Sequence, residues 1–355
     1  MAWQGKAVGG LLWLAVMGLA SPAWPADIVT RKSGGRVAGK ITGASKTELT
    51  IKPATGDAVA IPANDVAAVD WDEATADLKL GLADENGGRF DSALQRITKS
   101  KNETSTSNEA LKTEFDFLLA RVQARQALAD PAKRTAAIQQ LQAFLKTASN
   151  HFRYYDALAL IGQLQLANRE FDAARSTYEQ LAQAPWSDVK LAASIASGRI
   201  LMGEGKLDEA TSAFDAAIRA AGNSPADKAR RYEAMLGKAR ALVQQSKHEE
   251  ALQVLDEVIE QAPADDSTLQ AEAYVLQGHA LQALGRNKDA VLAYLHVDIL
   301  FPREAGYHAE SLYHMTRLWK LVQSPERSLD AEAKLQSTYP NSEWTRKLSG
   351  GNANE

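Results

Sequence analysis

The sequence predicts a mostly α-helical solenoid of about five to seven helical hairpins, preceded by a small all-β barrel. Three observations carry this. A small residue recurs at Ala93, Ala137, Ala174, Ala210, Ala251, Ala290 and, degenerately, Ser328, at successive steps of 44, 37, 36, 41, 39 and 38 residues, within stretches whose apolar residues follow helical spacing. Residues 27–72 instead alternate apolar and polar side chains, with Gly, Pro and Asn64-Asp65 at the breaks, as short antiparallel strands require. The chain has no cysteine, so disulfides, thiolate metal ligands, a Cys nucleophile and lipid attachment through a Cys are all excluded. A repeat array grows along one axis, so 355 residues need not divide into two compact domains.

In chain order, the N-terminus has one side-chain charge, Lys6, then a mostly apolar run from Ala7 to Ala20, then Ser21-Pro22-Ala23 and Trp24-Pro25-Ala26. That is the layout of a secretory signal peptide over residues 1–23, with cleavage after Ala26 as the alternative. The apolar run is too short to span a bilayer comfortably. A periplasmic or secreted location is expected, with no membrane span.

Residues 27–72 follow as the β-module, with strands expected at Ile28 to Thr30, Val37 to Thr42, Leu49 to Lys52, Val59 to Ile61 and Val66 to Val69, and a turn at Gly34-Gly35. The phrasing from Lys32 to Gly39, followed by Ile61-Pro62 and Asp65-Val66, resembles a reduced Sm-like or SH3-like barrel. The segment lacks the basic and aromatic cluster of an RNA-binding surface, so a structural or docking role is expected. Helical periodicity runs through residues 73–348 with no flexible linker before it, which places Trp71 at the junction. The polar, Gly-containing tail over residues 349–355 is expected to be disordered.

Within the helical region, Asp156 to Pro185 is the clearest unit: Leu158, Ile161-Gly162, Phe171, Ala174, Tyr178, Leu181 and Pro185, with a polar break at Asn168-Arg169-Glu170. A small residue is needed where two helices cross closely, and a bulky one beside it fills the space. This unit resembles a tetratricopeptide repeat (TPR), whose pattern sets Leu-Gly on a first helix, then Ala, an aromatic and a closing Pro on a second. The same pattern precedes it at Leu80-Gly81, Phe90 and Ala93, and follows it at Gly198, Ala210 and Phe214, at Ala239, Ala251 and Pro263, and at Gly278, Ala290, Tyr294 and Pro302. The second repeat is irregular, because Asp130-Pro131 interrupts its turn. The resemblance extends to the periplasmic TPR proteins of envelope assembly.

No catalytic arrangement is visible. There is no Gly-x-Ser-x-Gly elbow, phosphate loop or dinucleotide fingerprint, so an enzyme is not expected and no cofactor is called for. His308 and His314 stand six apart, on different helical faces, and His151, His248, His279 and His296 are scattered; no metal site is expected. The aromatic set Phe90, Phe171, Tyr178, Phe214, Tyr274 and Tyr294 reads as core packing. A net charge of -4 gives no basic footprint for nucleic acid.

The remaining reading is an interaction scaffold for a protein or peptide partner, the alternatives being a structural envelope component that self-associates through the β-module and a non-catalytic subunit of an envelope complex. The TPR resemblance implies a concave wall built by first-helix positions two, five, nine, twelve and thirteen. Position nine, just after the small first-helix residue, is Gln163, Arg199, Arg240 and His279 in repeats three to six. This row of hydrogen-bond donors is expected to face carboxylates or backbone carbonyls of an extended partner.

Overall fold

Alternation in residues 27–72 becomes five strands: β1 (Asp27–Arg31), β2 (Arg36–Ala44), β3 (Glu48–Lys52), β4 (Val59–Pro62) and β5 (Val66–Asp70). A computed structural model describes residues 26–350; the predicted signal peptide over residues 1–23 and the tail from residue 351 lie outside the described residues. The strands form one antiparallel sheet in the order β4-β3-β2-β1-β5. The order is open, with β4 and β5 at its edges, rather than closed by a further ladder among the described residues. β2 approaches the end of β3 so closely at Gly39 that a Cβ there would fall 2.3 Å from the Lys52 carbonyl oxygen. The buried Asp27 carboxylate ties the start of the module to its end, accepting hydrogen bonds from the backbone N–H groups of Ile41 and Asp72, each at 3.1 Å.

The helical region folds as seven antiparallel hairpins and a closing helix. They are α1 (Ala76–Asn86) with α2 (Phe90–Glu103), α3 (Glu109–Ala129) with α4 (Arg134–Thr147), α5 (Tyr154–Ala167) with α6 (Phe171–Leu181), and α7 (Ser187–Gly203) with α8 (Leu207–Ala220). Then come α9 (Pro225–Gln244) with α10 (His248–Gln261), α11 (Ser267–Ala283) with α12 (Asn287–Leu300), α13 (Ala305–Leu321) with α14 (Pro325–Thr338), and α15 (Glu343–Gly350). The last helix therefore takes in Ser349 and Gly350, two residues expected in the disordered tail.

Every member of the predicted small-residue series is buried, from Ala93 to Ser328. Twelve residues before each regular member stands the small first-helix residue. A Cβ on Gly81 would meet Ile97 at 2.8 Å, on Gly162 Tyr178 at 2.6 Å, on Gly198 Phe214 at 2.7 Å and on Gly278 Tyr294 at 2.5 Å. These are the close crossings that the sequence pattern implies. Phe214 and Tyr294 are fully buried and Tyr178 nearly so, whereas Phe90, Phe171 and Tyr274 are only partly buried against the core clusters.

The turns obey the same register. Gly88, Arg169, Gly205, Ser246, Gly285 and Gln323 all have φ between 60° and 80°, each five residues before its small residue. The left-handed conformation ends the first helix and redirects the chain into the second. The irregular second repeat replaces this turn with a 3₁₀ segment, Pro131–Lys133, capped by the Asp130 side chain accepting from the Ala132 N–H at 3.1 Å.

The β-module shares one apolar core with repeats one to three. Val29, Leu49, Ile51, Ile61 and Trp71 belong to the same buried cluster as Leu78, Ile97, Leu111, Phe115 and Phe117. Trp71 is thus at the junction, as its position predicts.

Candidate functional site

First helices build the concave wall of such an array, and two different things happen along it. In the N-terminal half the β-module lies against the wall. Its β5 residues Ala67, Ala68 and Val69 face Leu82 and Asn86 of α1 and Leu118, Arg121 and Arg125 of α3 across a cleft of about 250 Å³. Asn64, just before β5, donates to the Asp188 carboxylate of α7 at 2.8 Å. Arg153, 3% exposed, ties the two parts together: it donates to the Val66 carbonyl at 3.1 Å, to Glu114 of α3 at 3.2 Å and to Asp156 of α5 at 3.1 Å. A buried guanidinium needs this many acceptors, and Glu114, 2% exposed, needs the cation in return.

The predicted row runs from α5 onward, on first helices whose position-nine side chains are partly or fully exposed. Arg199 donates to Glu233 at 2.7 Å, Arg240 to Glu272 at 2.6 Å, and His279 Nε2 lies 3.1 Å from Glu310 Oε1. Each pair joins position nine of one repeat to position two of the next, because Glu233, Glu272 and Glu310 all stand six residues before their own repeat's small first-helix residue. Gln163 is exposed on α5, and Ala192 occupies the equivalent position two of the following repeat. Three of the four predicted donors thus also meet carboxylates of their own chain.

Electrostatics follow this pairing. Burial alone would raise the Glu233 carboxyl, but Arg199 and Arg230 outweigh it and hold it below its ordinary value. Burial would lower Arg240, and Glu272 outweighs it and raises it. Glu272 also accepts from the Tyr307 hydroxyl at 2.9 Å, and burial together with Glu272 raises that phenol. Burial pushes the Tyr178 hydroxyl, beneath the first rung, up to about 12.

The last rung differs in kind. His279 and His314, far apart in sequence, have ring centroids 5.0 Å apart. With Glu310 they offer three ligand atoms that all lie within 4.8 Å of one another. The sequence expectation of scattered histidines thus fails here, because α11 and α13 are neighbouring first helices and bring the two rings to one place on the wall. Position-two carboxylates were also missed, although their constant offset from the small residue is visible in the sequence once the register is set.

These features define a solenoid of helical hairpins with an N-terminal antiparallel sheet. Residues 195–266 match the tetratricopeptide repeat family model, which takes in the first two rungs' arginines. No curated protein matches the chain. Among solved structures, a tetratricopeptide repeat protein from Parabacteroides merdae ATCC 43184 is similar at 17% identity over 77% of this chain and 95% of that one, with a TM-score of 0.51. The apo form of RapI is similar at 13% identity over 77% and 79%, TM-score 0.50. A Rap protein complexed with Competence and Sporulation Factor is similar at 15% identity over 77% of each chain, TM-score 0.51. At these identities the likeness shows the fold.

Proposed function

We propose that this protein is a non-catalytic interaction scaffold that holds an extended polypeptide along the concave wall of repeats four to seven, outside the cytoplasm. The observation that carries the reading is the rung geometry. Side chains of Arg199 and Arg240 are 45% and 47% exposed, whereas their partners Glu233 and Glu272 are 26% and 21% exposed. Guanidinium tips therefore stand above half-buried carboxylates, with N–H groups left for acceptors on a partner. The β-module closes the other half of the wall, which directs the partner to these repeats. The likeness to a Rap protein that holds a bound factor supports the same use of the fold. Partners captured from envelope extract on the full chain are to be compared with those on Arg199→Ala/Arg240→Ala. The double variant should weaken a directly binding partner more than about tenfold, since charge-assisted contacts are worth about 1.5–3 kcal/mol each. Unchanged affinity with an unchanged fold moves the binding site off the wall.

Extracytoplasmic placement rests on the Lys6, apolar-run and Ser-Pro-Ala layout. Either cleavage, after Ala23 or Ala26, leaves Asp27 and the whole of β1 in the mature chain. Intact-mass spectrometry that finds Met1 or Ala2 retained on the native protein refutes it. A second reading, self-association through an Sm-like or SH3-like module, is favoured by the exposed edge of β4, where Val59, Ala60 and Pro62 are open to solvent. Native mass spectrometry of the full chain decides it, a monomer counting against it.

A further inference from the structure

The geometry points to a divalent transition-metal site at His279, Glu310 and His314, of the open kind with three protein ligands and one position left for solvent or a partner group. Two imidazoles and one carboxylate make up a donor set suited to zinc and its neighbours rather than to magnesium or calcium, which take oxygen ligands. The 3.1 Å between His279 Nε2 and Glu310 Oε1 is close to the separation that two ligands about 2.0–2.1 Å from one tetrahedral zinc would adopt.

His314 is prepared for the role by its surroundings. Its Nδ1 lies 3.1 Å from Gln282 Oε1; since an amide oxygen only accepts, the proton belongs on Nδ1 and the Nε2 lone pair is available. This is the outer hydrogen bond that fixes tautomer and ring orientation in metal-bound histidines. The ring lies flat on Tyr294, centroids 5.0 Å apart and planes 7° apart, with Tyr313 edge-on at 5.4 Å.

An independent observation points to the same spot. Tyr294 is fully buried, and its hydroxyl has no hydrogen-bond partner among the described residues. Its ring stacks on that of His314, and its centroid lies 6.0 Å from that of His279. A water on the metal's open position would supply a partner, and a buried hydroxyl without one is costly. The contrast with the first two rungs sharpens the assignment. There, arginine holds the position-two glutamate and no imidazole stands beside it; here, histidine replaces arginine and a second histidine is brought alongside.

The test is titration of the metal-free full chain with zinc by calorimetry, and with cobalt by visible absorption. One equivalent should bind, with cobalt showing low-coordinate ligand-field bands and excess magnesium failing to compete. His279→Arg rebuilds the arginine–glutamate rung of the preceding repeats, so it should keep the fold and the melting temperature while losing metal binding. His314→Phe should lose it while keeping the stack on Tyr294, and Gln282→Ala should weaken it about tenfold or more. The double variant His248→Ala/His296→Ala, which removes histidines elsewhere, should bind as the parent does. No stoichiometric zinc binding by the parent overturns the assignment, as does binding of equal affinity in His279→Arg.

Discussion

Substituting Gly237 by Ala tests the packing that holds repeats four and five together. Phe214 of α8 is fully buried, and it meets glycines on both flanking first helices. A Cβ on Gly198 of α7 would lie 2.7 Å from Phe214 Cε1, and one on Gly237 of α9 would lie 2.4 Å from the same atom. Carbon atoms in good contact are about 3.5–4.0 Å apart, so the new methyl at 237 overlaps the ring by about 1 Å. Displacing the ring within a filled core costs about 1–3 kcal/mol, and an overlap this deep belongs at the upper end. Replacing a helical Gly by Ala returns about 1 kcal/mol through helix propensity. The expected net loss is about 2 kcal/mol, read as a lower midpoint in urea unfolding followed by far-UV circular dichroism.

Two companions make the expectation specific. Gly306, in the first turn of α13, has open space around the built Cβ, so Gly306→Ala should be neutral or stabilising by up to about 1 kcal/mol. In a Phe214→Leu background the ring edge is gone, and Gly237→Ala should lose its cost or become stabilising. Coupling of this kind is what a direct contact produces. Equal midpoints for Gly237→Ala and Gly306→Ala, or an unchanged cost in the Phe214→Leu background, refute the close-crossing account.

Further expectations concern the turns, the junction and pH. Ser246 has φ of 61° in the register position held by Gly205 and Gly285, so Ser246→Gly should raise stability by about 0.5–1 kcal/mol, seen as a higher urea midpoint. Arg153→Met leaves Glu114 buried without its cation, which should cost about 3–5 kcal/mol and speed proteolysis between the β-module and α1. His151 is held neutral: its Nδ1 accepts from the Arg153 N–H at 3.3 Å and its Nε2 lies 3.3 Å from the Ala110 carbonyl. Burial lowers it below the ordinary value of 6.5. The unfolded chain then takes up a proton that the native state resists, so this contribution is complete above that value and is lost as pH falls from it towards the native one. His151→Phe should flatten the stability-versus-pH slope in that window, and an unchanged slope counts against the assignment.

Much of the fold is legible in the sequence because a solenoid repeats its requirements. Ala93, Ala174, Ala210, Ala251 and Ala290 are small for one reason, the close approach of two helices, and a constraint imposed that often shows as a period. The turn register is only half legible. Gly88, Gly205 and Gly285 advertise a left-handed residue, but Arg169, Ser246 and Gln323 adopt the same φ through context alone. Strand positions in the β-module follow from alternation, whereas its seat against α1, α3 and α7 does not. Part of that seat is Arg153, which reads in the sequence as an ordinary helix-start cation and not as a buried bridge between Val66 and Glu114. His279 and His314 escape for a similar reason: their meeting depends on how far α13 is rotated against α11, which no local spacing encodes.

The paired rungs change what a partner must do to bind. Each rung is partly exposed, and such ion pairs contribute only about 0–1 kcal/mol to stability, so the wall gives up little when a rung rearranges. An arginine donates through several N–H groups, and here each position-nine arginine uses one on its neighbour's carboxylate. A partner carboxylate or carbonyl can therefore add to the rung instead of displacing it. Pairing also stops the guanidinium groups from collapsing onto one another or onto solvent-exposed backbone, which lowers the ordering cost that binding would otherwise incur. Each rung also links one repeat to the next. On the proposed reading, a rung substitution should alter binding both through the contact removed and through the link it breaks between neighbouring repeats.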